Sequence, residues 1–164
     1  MSAGAFDADG WLRRARRITS PNCDPRPASI PVTLLVVHNI SLPPHQFGGD
    51  GVIELFSNRL DPHAHPFHAG LQGVEVSSHF FIRRDGELIQ FVGCSLRAWH
   101  AGASVWKGAQ RCNDFSVGIE LEGTDGAGSP FGSPDSRLIA FCVHGQLKRV
   151  PAAGMELAAK SGAQ

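Results

Sequence analysis

One short apolar run constrains the fold of this chain more than any other feature of its sequence. Residues 32–37 are almost all apolar, follow Pro31 and end at His38. A run of this length without polar alternation is typical of a strand that is buried on both faces. Sheets built from such strands often place ligands at the carboxyl ends of the strands, which makes His38 a candidate ligand. Considered alone, a histidine at the end of a strand is more often structural.

A second strand is predicted where apolar and polar residues alternate. Phe115, Val117, Ile119 and Leu121 alternate with small or acidic residues, so the strand has one apolar and one polar face. Glu120 lies on the polar face and is the best candidate for a general acid or base. The alternative is a solvated strand face, because Glu122 repeats the pattern two residues later.

Three other segments carry clear local signals. Residues 79–84 and 87–92 are β-rich runs joined by Asp85-Gly86, which predicts a hairpin. Residues 52–60 have apolar positions near helical spacing and predict a short helix, whereas Pro and Gly in 61–73 predict a loop.

Four further histidines could have functional or structural roles. His63 and His65 alternate on the predicted loop and, with His68, could form a separate metal cluster, but loops also expose histidines harmlessly. His79 lies at the start of a strand, where it either faces a groove or is satisfied by backbone hydrogen bonds inside the sheet.

Composition narrows the classes of function. A chain of 164 residues has room for one domain and one core. Lys and Arg number 15, as do Asp and Glu, and this balance argues against partners such as nucleic acid or an acidic membrane. The four scattered cysteines are expected to be reduced thiols, and no apolar leader or membrane-length run is present. We therefore expect a soluble, cytoplasmic monomer.

The motifs between residues 10 and 125 resemble a known family, the AmpD-type 1,6-anhydro-N-acetylmuramoyl-L-alanine amidases of the amidase_2 superfamily, which also includes the peptidoglycan-recognition proteins. The matching strings follow in chain order: Gly10-Trp11-Leu12, Ser20-Pro21-Asn22, Leu34-Leu35-Val36-Val37-His38-Asn39-Ile40-Ser41-Leu42-Pro43-Pro44, Leu60-Asp61-Pro62, His65-Pro66-Phe67, Val76-Ser77-Ser78-His79-Phe80, Arg84-Asp85-Gly86, Arg97-Ala98-Trp99-His100-Ala101-Gly102 and Arg111-Cys112-Asn113-Asp114-Phe115-Ser116-Val117-Gly118-Ile119-Glu120-Leu121-Glu122-Gly123-Thr124-Asp125.

The resemblance implies an α/β (α+β) fold, with a mixed, twisted sheet, helices on its faces and a zinc groove at one edge. It implies a zinc-dependent amidase that cleaves the lactyl–L-Ala amide of muropeptides during peptidoglycan recycling. His38 corresponds to a zinc ligand and Glu120 to the residue that acts on the zinc-bound water. Four residues correspond to positions that line or shape the muropeptide groove, namely Asn39, Trp99, His100 and Arg111. Glu122 is expected to be a structural or solvent-facing carboxylate.

The resemblance stops after Asp125. It divides the chain into an N-terminal arm (1–31), an amidase core (32–125) and a divergent tail (126–164). The family's later motif, Gly-His-x-Asp-Ile-Ala-Pro-x-Arg-Lys-x-Asp-Pro, carries two zinc ligands and a catalytic Lys and does not occur in the tail.

Three explanations are open for the tail: a shifted reading frame, a true truncation, or replacement ligands such as His144. The alternative to an active amidase is therefore an inactive homologue, either a muropeptide-binding module or an unstable fragment. Within the tail, residues 152–160 are predicted to form a weak helix.

Overall fold

The predicted buried strand lies near the centre of a six-stranded mixed sheet. The computed structural model describes residues 5–124 and the backbone of a strand at 156–159. In chain order the strands are β1 (Arg16–Arg17), β2 (Cys23–Pro25), β3 (Leu34–Ile40), β4 (Phe80–Ile82), β5 (Leu88–Gln90), β6 (Leu96–Ala98), β7 (Val105–Trp106), β8 (Ala109–Gln110), β9 (Ser116–Glu122) and β10 (Glu156–Ala159). The helices are α1 (Gly51–Phe56), α2 (Pro66–Ala69) and a 3-10 turn, Cys112–Asp114.

The sheet has the strand order β1-β5-β4-β9-β3-β10. Only β4 and β5 run antiparallel to each other; the other neighbouring pairs are parallel. Two small antiparallel pairs, β2 with β6 and β7 with β8, lie outside it. The α/β class and the mixed sheet that the resemblance implied are therefore confirmed.

β9 is a central strand, with β4 and β3 hydrogen-bonded along its two edges. All seven of its residues are buried, including Ser116, Glu120 and Glu122. The alternative of a solvated strand face is therefore wrong. The alternation in the sequence separates an apolar interior face from a polar interior face, and both faces are excluded from water.

The two faces of the sheet carry different cores. One face is apolar and is built from Leu12, Leu35, Val37, Phe80, Ile82, Val117, Ile119 and Leu121. On the opposite face α1 packs its apolar residues against Phe81 and Ile89. His38 and Glu120 alternate with members of the apolar set, so their side chains belong to the face that α1 covers.

Local signals identified most elements between residues 52 and 92, with two differences. The hairpin is confirmed, with Phe80 opposite Gln90 and Gly86 at φ +91° in the turn. The predicted helix is shorter than expected and ends at Phe56. The predicted loop at 61–73 contains α2, which starts because the His65 ring accepts a hydrogen bond from Phe67 N at 3.1 Å.

The expectation of a weak helix at 152–160 is wrong for residues 156–159. They form β10, which pairs in parallel with β3, Glu156 opposite Leu34. Glu, Leu and Ala favour helices intrinsically, but pairing with an unfilled strand edge supplies backbone hydrogen bonds that override this preference. The division at residue 125 and the nature of 126–155 lie outside the described residues.

The segment expected to be an irregular N-terminal arm contributes two short strands, β1 and β2, that pair with β5 and β6. Gln90 is fully buried and ties this segment to the sheet. Its Oε1 accepts from Leu12 N at 2.6 Å, and its Nε2 donates to Gly10 O at 2.9 Å and Val92 O at 3.0 Å.

Two further expectations concern thiols and membranes. Cys23, Cys94 and Cys112 are free, as predicted, and burial raises the pKa of the Cys94 thiol to about 12. Cys142 lies outside the described residues. Within the described part of the chain, the helices are too short to cross a bilayer.

Replacing Gln90 should weaken the attachment of the N-terminal segment. Gln90→Ala leaves the N–H of Leu12 and the carbonyl of Val92 without a partner and removes one of the two donors to Gly10 O, so we expect the free energy of unfolding to fall by about 2 to 4 kcal/mol. Urea unfolding measures this loss. Gln110→Ala, on exposed β8, is the matched control and should change stability by less than about 0.5 kcal/mol. Equal effects of the two substitutions would contradict the assignment.

Candidate functional site

A cleft of about 570 Å³ opens where β3 and β9 end. Four of the residues predicted from the sequence line it: His38, Asn39, His100 and Glu120. Its remaining wall is formed by Ile40, Ser41, Leu42, Pro44, His45, Leu55, Phe56, Phe67, Leu71, Val74, Val76, Ser77, Gly123 and Thr124. The cleft therefore combines a few polar groups at its base with an apolar wall, the usual composition of a small-molecule site.

His38 and Glu120 are brought together by strand register. They are paired residues of the parallel strands β3 and β9. Paired residues of adjacent strands point to the same face, with backbones about 4.8 Å apart. The side chains are 9% and 8% exposed, respectively. An imidazole and a carboxyl group thus lie side by side at the cleft base.

Glu120 lacks the partners that usually accompany a buried carboxylate. Burial raises the pKa of Glu120 to about 8. Within the described residues, its Oε2 is buried without a hydrogen-bond partner. A carboxyl group in this environment holds its proton near neutral pH and can exchange it with a bound molecule, as acid–base catalysis requires.

A chain of hydrogen bonds connects His38 to the sheet. His38 Nε2 lies 3.1 Å from His100 Nδ1, and His100 Nε2 lies 3.0 Å from Ser116 Oγ. Burial, with smaller contributions from His79, His38 and Arg26, lowers the pKa of His100 well below its usual value, so the ring is neutral. A neutral imidazole donates from one nitrogen and accepts at the other, which fixes the orientation of both rings.

Gly118 makes this arrangement of rings possible. A Cβ atom at this position would lie 2.5 Å from His100 Cγ. The ring of His100 therefore packs directly on the backbone of β9, between Ser116 and Glu120. The site requires a residue without a side chain here.

His79 is a structural residue rather than part of the cleft. It is fully buried, and its Nδ1 accepts from Gly118 N at 3.0 Å, while Nε2 lies 3.1 Å from Leu96 O. Burial and, to a smaller extent, Arg26 lower the pKa of His79 to about 3, so the ring is neutral. The interpretation of a histidine satisfied by backbone groups is confirmed.

Two of the predicted groove residues lie away from the cleft. The side chain of Trp99 is half-buried and hydrogen-bonds Asp24. Arg111 is exposed and pairs with Asp114, Nε to Oδ2, at 3.2 Å. Neither residue is part of the cleft lining. Their roles in binding stay predictions.

Sequence reasoning missed one half-buried cation behind the site. Arg26 donates to the carbonyl oxygens of Cys94, Asn113, Asp114 and Ser116 at 2.7 to 3.2 Å. Burial lowers the pKa of Arg26 to about 10. No local pattern could reveal this role, because its four partners lie 68 to 90 residues further along the chain.

The described residues do not complete a zinc site. An open catalytic zinc site needs three protein ligands. Among residues 5–124, no cluster of three His, Cys, Asp or Glu side chains could hold a metal ion. This also removes support for a cluster of His63, His65 and His68. His144, the suggested substitute ligand, lies outside the described residues.

Gly118→Ala should disturb the ring of His100. The added methyl group would collide with the ring of His100, which packs on the backbone of β9. We therefore expect the free energy of unfolding to fall by about 1 to 3 kcal/mol and the His38–His100 hydrogen bond to weaken. Thermal unfolding and imidazole ¹⁵N chemical shifts measure the two effects. Gly49→Ala is the matched control, because no atom lies within 4 Å of its Cβ position. Unchanged His100 shifts in Gly118→Ala would contradict the packing argument.

Comparison with known proteins gives the family. Residues 28–152 match the family model of Amidase_2, N-acetylmuramoyl-L-alanine amidase. The match covers most of the chain and extends past residue 125, where the recognisable motifs end. A crystal structure of an AmpD selenomethionine derivative superimposes with a TM-score of 0.82 at 46% identity, covering 94% of this chain and 84% of that one.

Two curated relatives agree with this assignment. The 1,6-anhydro-N-acetylmuramyl-L-alanine amidase AmpD of Citrobacter freundii is 57% identical over 117 residues, and that of Escherichia coli K12 is 59% identical over 116. Each alignment covers 71% of this chain but 63% of the relative, so the chain spans less than two thirds of either protein. The chain belongs to the Amidase_2 family of N-acetylmuramoyl-L-alanine amidases.

Proposed function

We propose that this chain is an AmpD-type amidase that hydrolyses the amide between the lactyl group of 1,6-anhydro-N-acetylmuramic acid and L-Ala. The observation that carries the proposal is the carboxyl group of Glu120, buried and incompletely hydrogen-bonded at the base of the cleft beside His38. The AmpD relatives have this activity by name. The setting is the cytoplasmic recycling of peptidoglycan.

Different residues of the cleft have different roles in the proposed reaction. A pKa of about 8 leaves a fraction of Glu120 deprotonated near neutral pH, and this form takes a proton from the attacking water and returns it to the leaving amine of L-Ala. The hydrogen bond between His38 Nε2 and His100 Nδ1 orients His38. The apolar wall, including Phe67, Leu71 and Val74, shields the reacting amide from bulk water.

Zinc dependence is part of the proposal, with His38 as one ligand. Residues 5–124 do not supply the complete set of ligands, so a zinc site in this chain would need further ligands from outside the described residues. If the tail does not complete the site, the same cleft makes the chain a muropeptide-binding module.

Substitution of the two central residues tests the proposal. Glu120→Gln removes the titratable group and should lower turnover of 1,6-anhydro-N-acetylmuramyl-L-Ala peptides by about 100-fold or more, with zinc content unchanged. His38→Ala should lower both zinc content and turnover. Product release by chromatography and metal content by mass spectrometry measure these effects.

Two exposed residues provide the controls. His63→Ala and Glu75→Gln change the same residue types at the surface and should leave zinc content and turnover unchanged. Loss of zinc in Glu120→Gln but not in His38→Ala would reverse the assigned roles. Muropeptide binding without any cleavage by the wild-type chain would establish the binding module instead.

The pKa of Glu120 also predicts a pH dependence of stability. The folded chain retains a proton up to about pH 8, whereas an ordinary glutamate loses it near 4.5. The protonated side chain of Glu120 therefore makes its full contribution to the free energy of unfolding below the pKa of the unfolded chain. This contribution is lost as pH rises through the pKa of the folded chain, by at most about 1.4 kcal/mol per pH unit. Glu120→Gln remains neutral and should remove this slope. Urea unfolding of metal-free protein between about pH 5 and 9 compares the two chains. Glu75→Gln should keep the slope, and parallel curves for wild type and Glu120→Gln would contradict the prediction.

A further inference from the structure

Glu122 has a buried carboxylate that the proposed mechanism does not use. It lies two residues after Glu120 on the same face of β9 and is 6% exposed. Its Oε1 accepts from Gly48 N at 2.6 Å, and its Oε2 accepts from Arg84 N at 3.0 Å. Both oxygens are thus occupied by backbone donors from two different loops, which brings these loops to one point at the end of β9.

One of these loops forms a wall of the cleft. Residues 41–50, here termed the wall loop, connect β3 to α1. Ser41, Leu42, Pro44 and His45 from this loop line the cleft. The position of the wall loop therefore determines the width of the cleft on the side next to His38.

The wall loop is held through both backbone groups of one residue, Gly48. Glu122 accepts from the N–H of Gly48, and Arg83 Nη1 donates to the carbonyl oxygen of Gly48 at 2.8 Å. Arg83 Nη2 also reaches Asp50 Oδ1 at 2.8 Å, and the guanidinium of Arg84 lies 4.3 Å from the ring centroid of Phe47. These contacts fasten the far half of the loop to the sheet, whereas the near half is joined to β3 by the chain itself.

We propose that Glu122 is a positioning residue that sets the wall of the cleft through Gly48 and thereby sets affinity for the muropeptide. The identity of the ligand rests on the proposed function. Glu122 does not line the cleft, so it acts through the loop rather than on the substrate. His38 and Glu120 are held by the backbone pairing of β3 with β9, which does not need the side chain of Glu122. The effect should therefore fall on binding and not on the chemical step.

Glu122→Gln tests whether Glu122 affects binding or the chemical step, and it changes the shape of the side chain very little. A Gln side chain offers one acceptor oxygen, so one of the two backbone N–H groups loses its partner whichever way the amide lies. We expect the Kd for a 1,6-anhydro-N-acetylmuramyl-L-Ala peptide to rise about 10-fold by calorimetry. Hydrogen exchange should accelerate at the amides of 45–49 and stay unchanged in β3 and β9. Turnover at saturating substrate should change by less than about 3-fold.

Glu87→Gln is the matched control. Glu87 Oε2 pairs with Arg83 Nε at 3.1 Å, whereas Arg83 contacts the wall loop through Nη1 and Nη2. The variant therefore weakens an ion pair of the same arginine and leaves the partners of Gly48 and Asp50 in place. It should leave the Kd and the exchange of 45–49 unchanged. An effect of equal size in Glu87→Gln, or a lower kcat with unchanged Kd in Glu122→Gln, would overturn the proposal.

Two results separate this inference from the proposed function. If the wild-type chain fails to bind the muropeptide, the proposed function is wrong. Unchanged exchange at 45–49 in Glu122→Gln would overturn the positioning role independently. If Glu122→Gln does not fold, Gly48→Ala provides the second test. Gly48 has φ +78° with no atom within 4 Å of its Cβ position, so alanine strains the loop without crowding it. Unchanged affinity in folded Gly48→Ala would overturn the proposal.

Discussion

The parallel pairing of β3 with β9 is the constraint on which the rest of the site depends. It runs in one register from Leu34 and Ser116 to Ile40 and Glu122, and it sets His38 beside Glu120. A slip of one residue would turn the polar face of β9 into the apolar core and expose its apolar residues. The same apolar packing that stabilises the fold therefore fixes the geometry of the cleft.

A polar strand face inside a protein is stable only if its groups find partners. Ser116 meets His100, the N–H of Gly118 meets His79, and Glu122 meets two backbone donors. Arg26 adds a positive charge behind these groups by donating to the carbonyl oxygen of Ser116. This network keeps the base of the cleft rigid while leaving one face of it open to a ligand.

Local sequence patterns predicted what is local in this structure. The buried strand at His38, the hairpin at Asp85-Gly86 and the alternation around Glu120 were recognisable because each is set within a few residues. Other features depend on distant partners. The helix-favouring residues of Glu156–Ala159 form a strand because β3 offers an edge. No pattern near Gly118 shows that the ring of His100 packs on it.

The resemblance to a family identified candidate site residues but did not show their burial or their hydrogen-bond partners. It singled out Glu120 and left Glu122 as a structural or solvent-facing carboxylate, and burial of Glu122 decides for the structural role. It also grouped Trp99 and Arg111 with the groove, although the structure places both outside the cleft lining. Motif matching carries residue identity from one chain to another, whereas exposure and partners come from the fold of this chain.

Two glutamates on one strand show how the environment assigns different roles to the same side chain. Glu120 and Glu122 share a face, a strand and nearly the same exposure. Both oxygens of Glu122 accept backbone N–H groups, so its carboxylate is committed to holding loops together. Glu120 faces the cleft with one oxygen unpartnered within the described residues, and burial alone raises its pKa to about 8. A buried acceptor without a partner costs free energy. A ligand or water that donates a hydrogen bond to Glu120 therefore recovers this free energy on binding. The strand thus leaves an unpartnered acceptor at the position where the proposed mechanism places proton transfer.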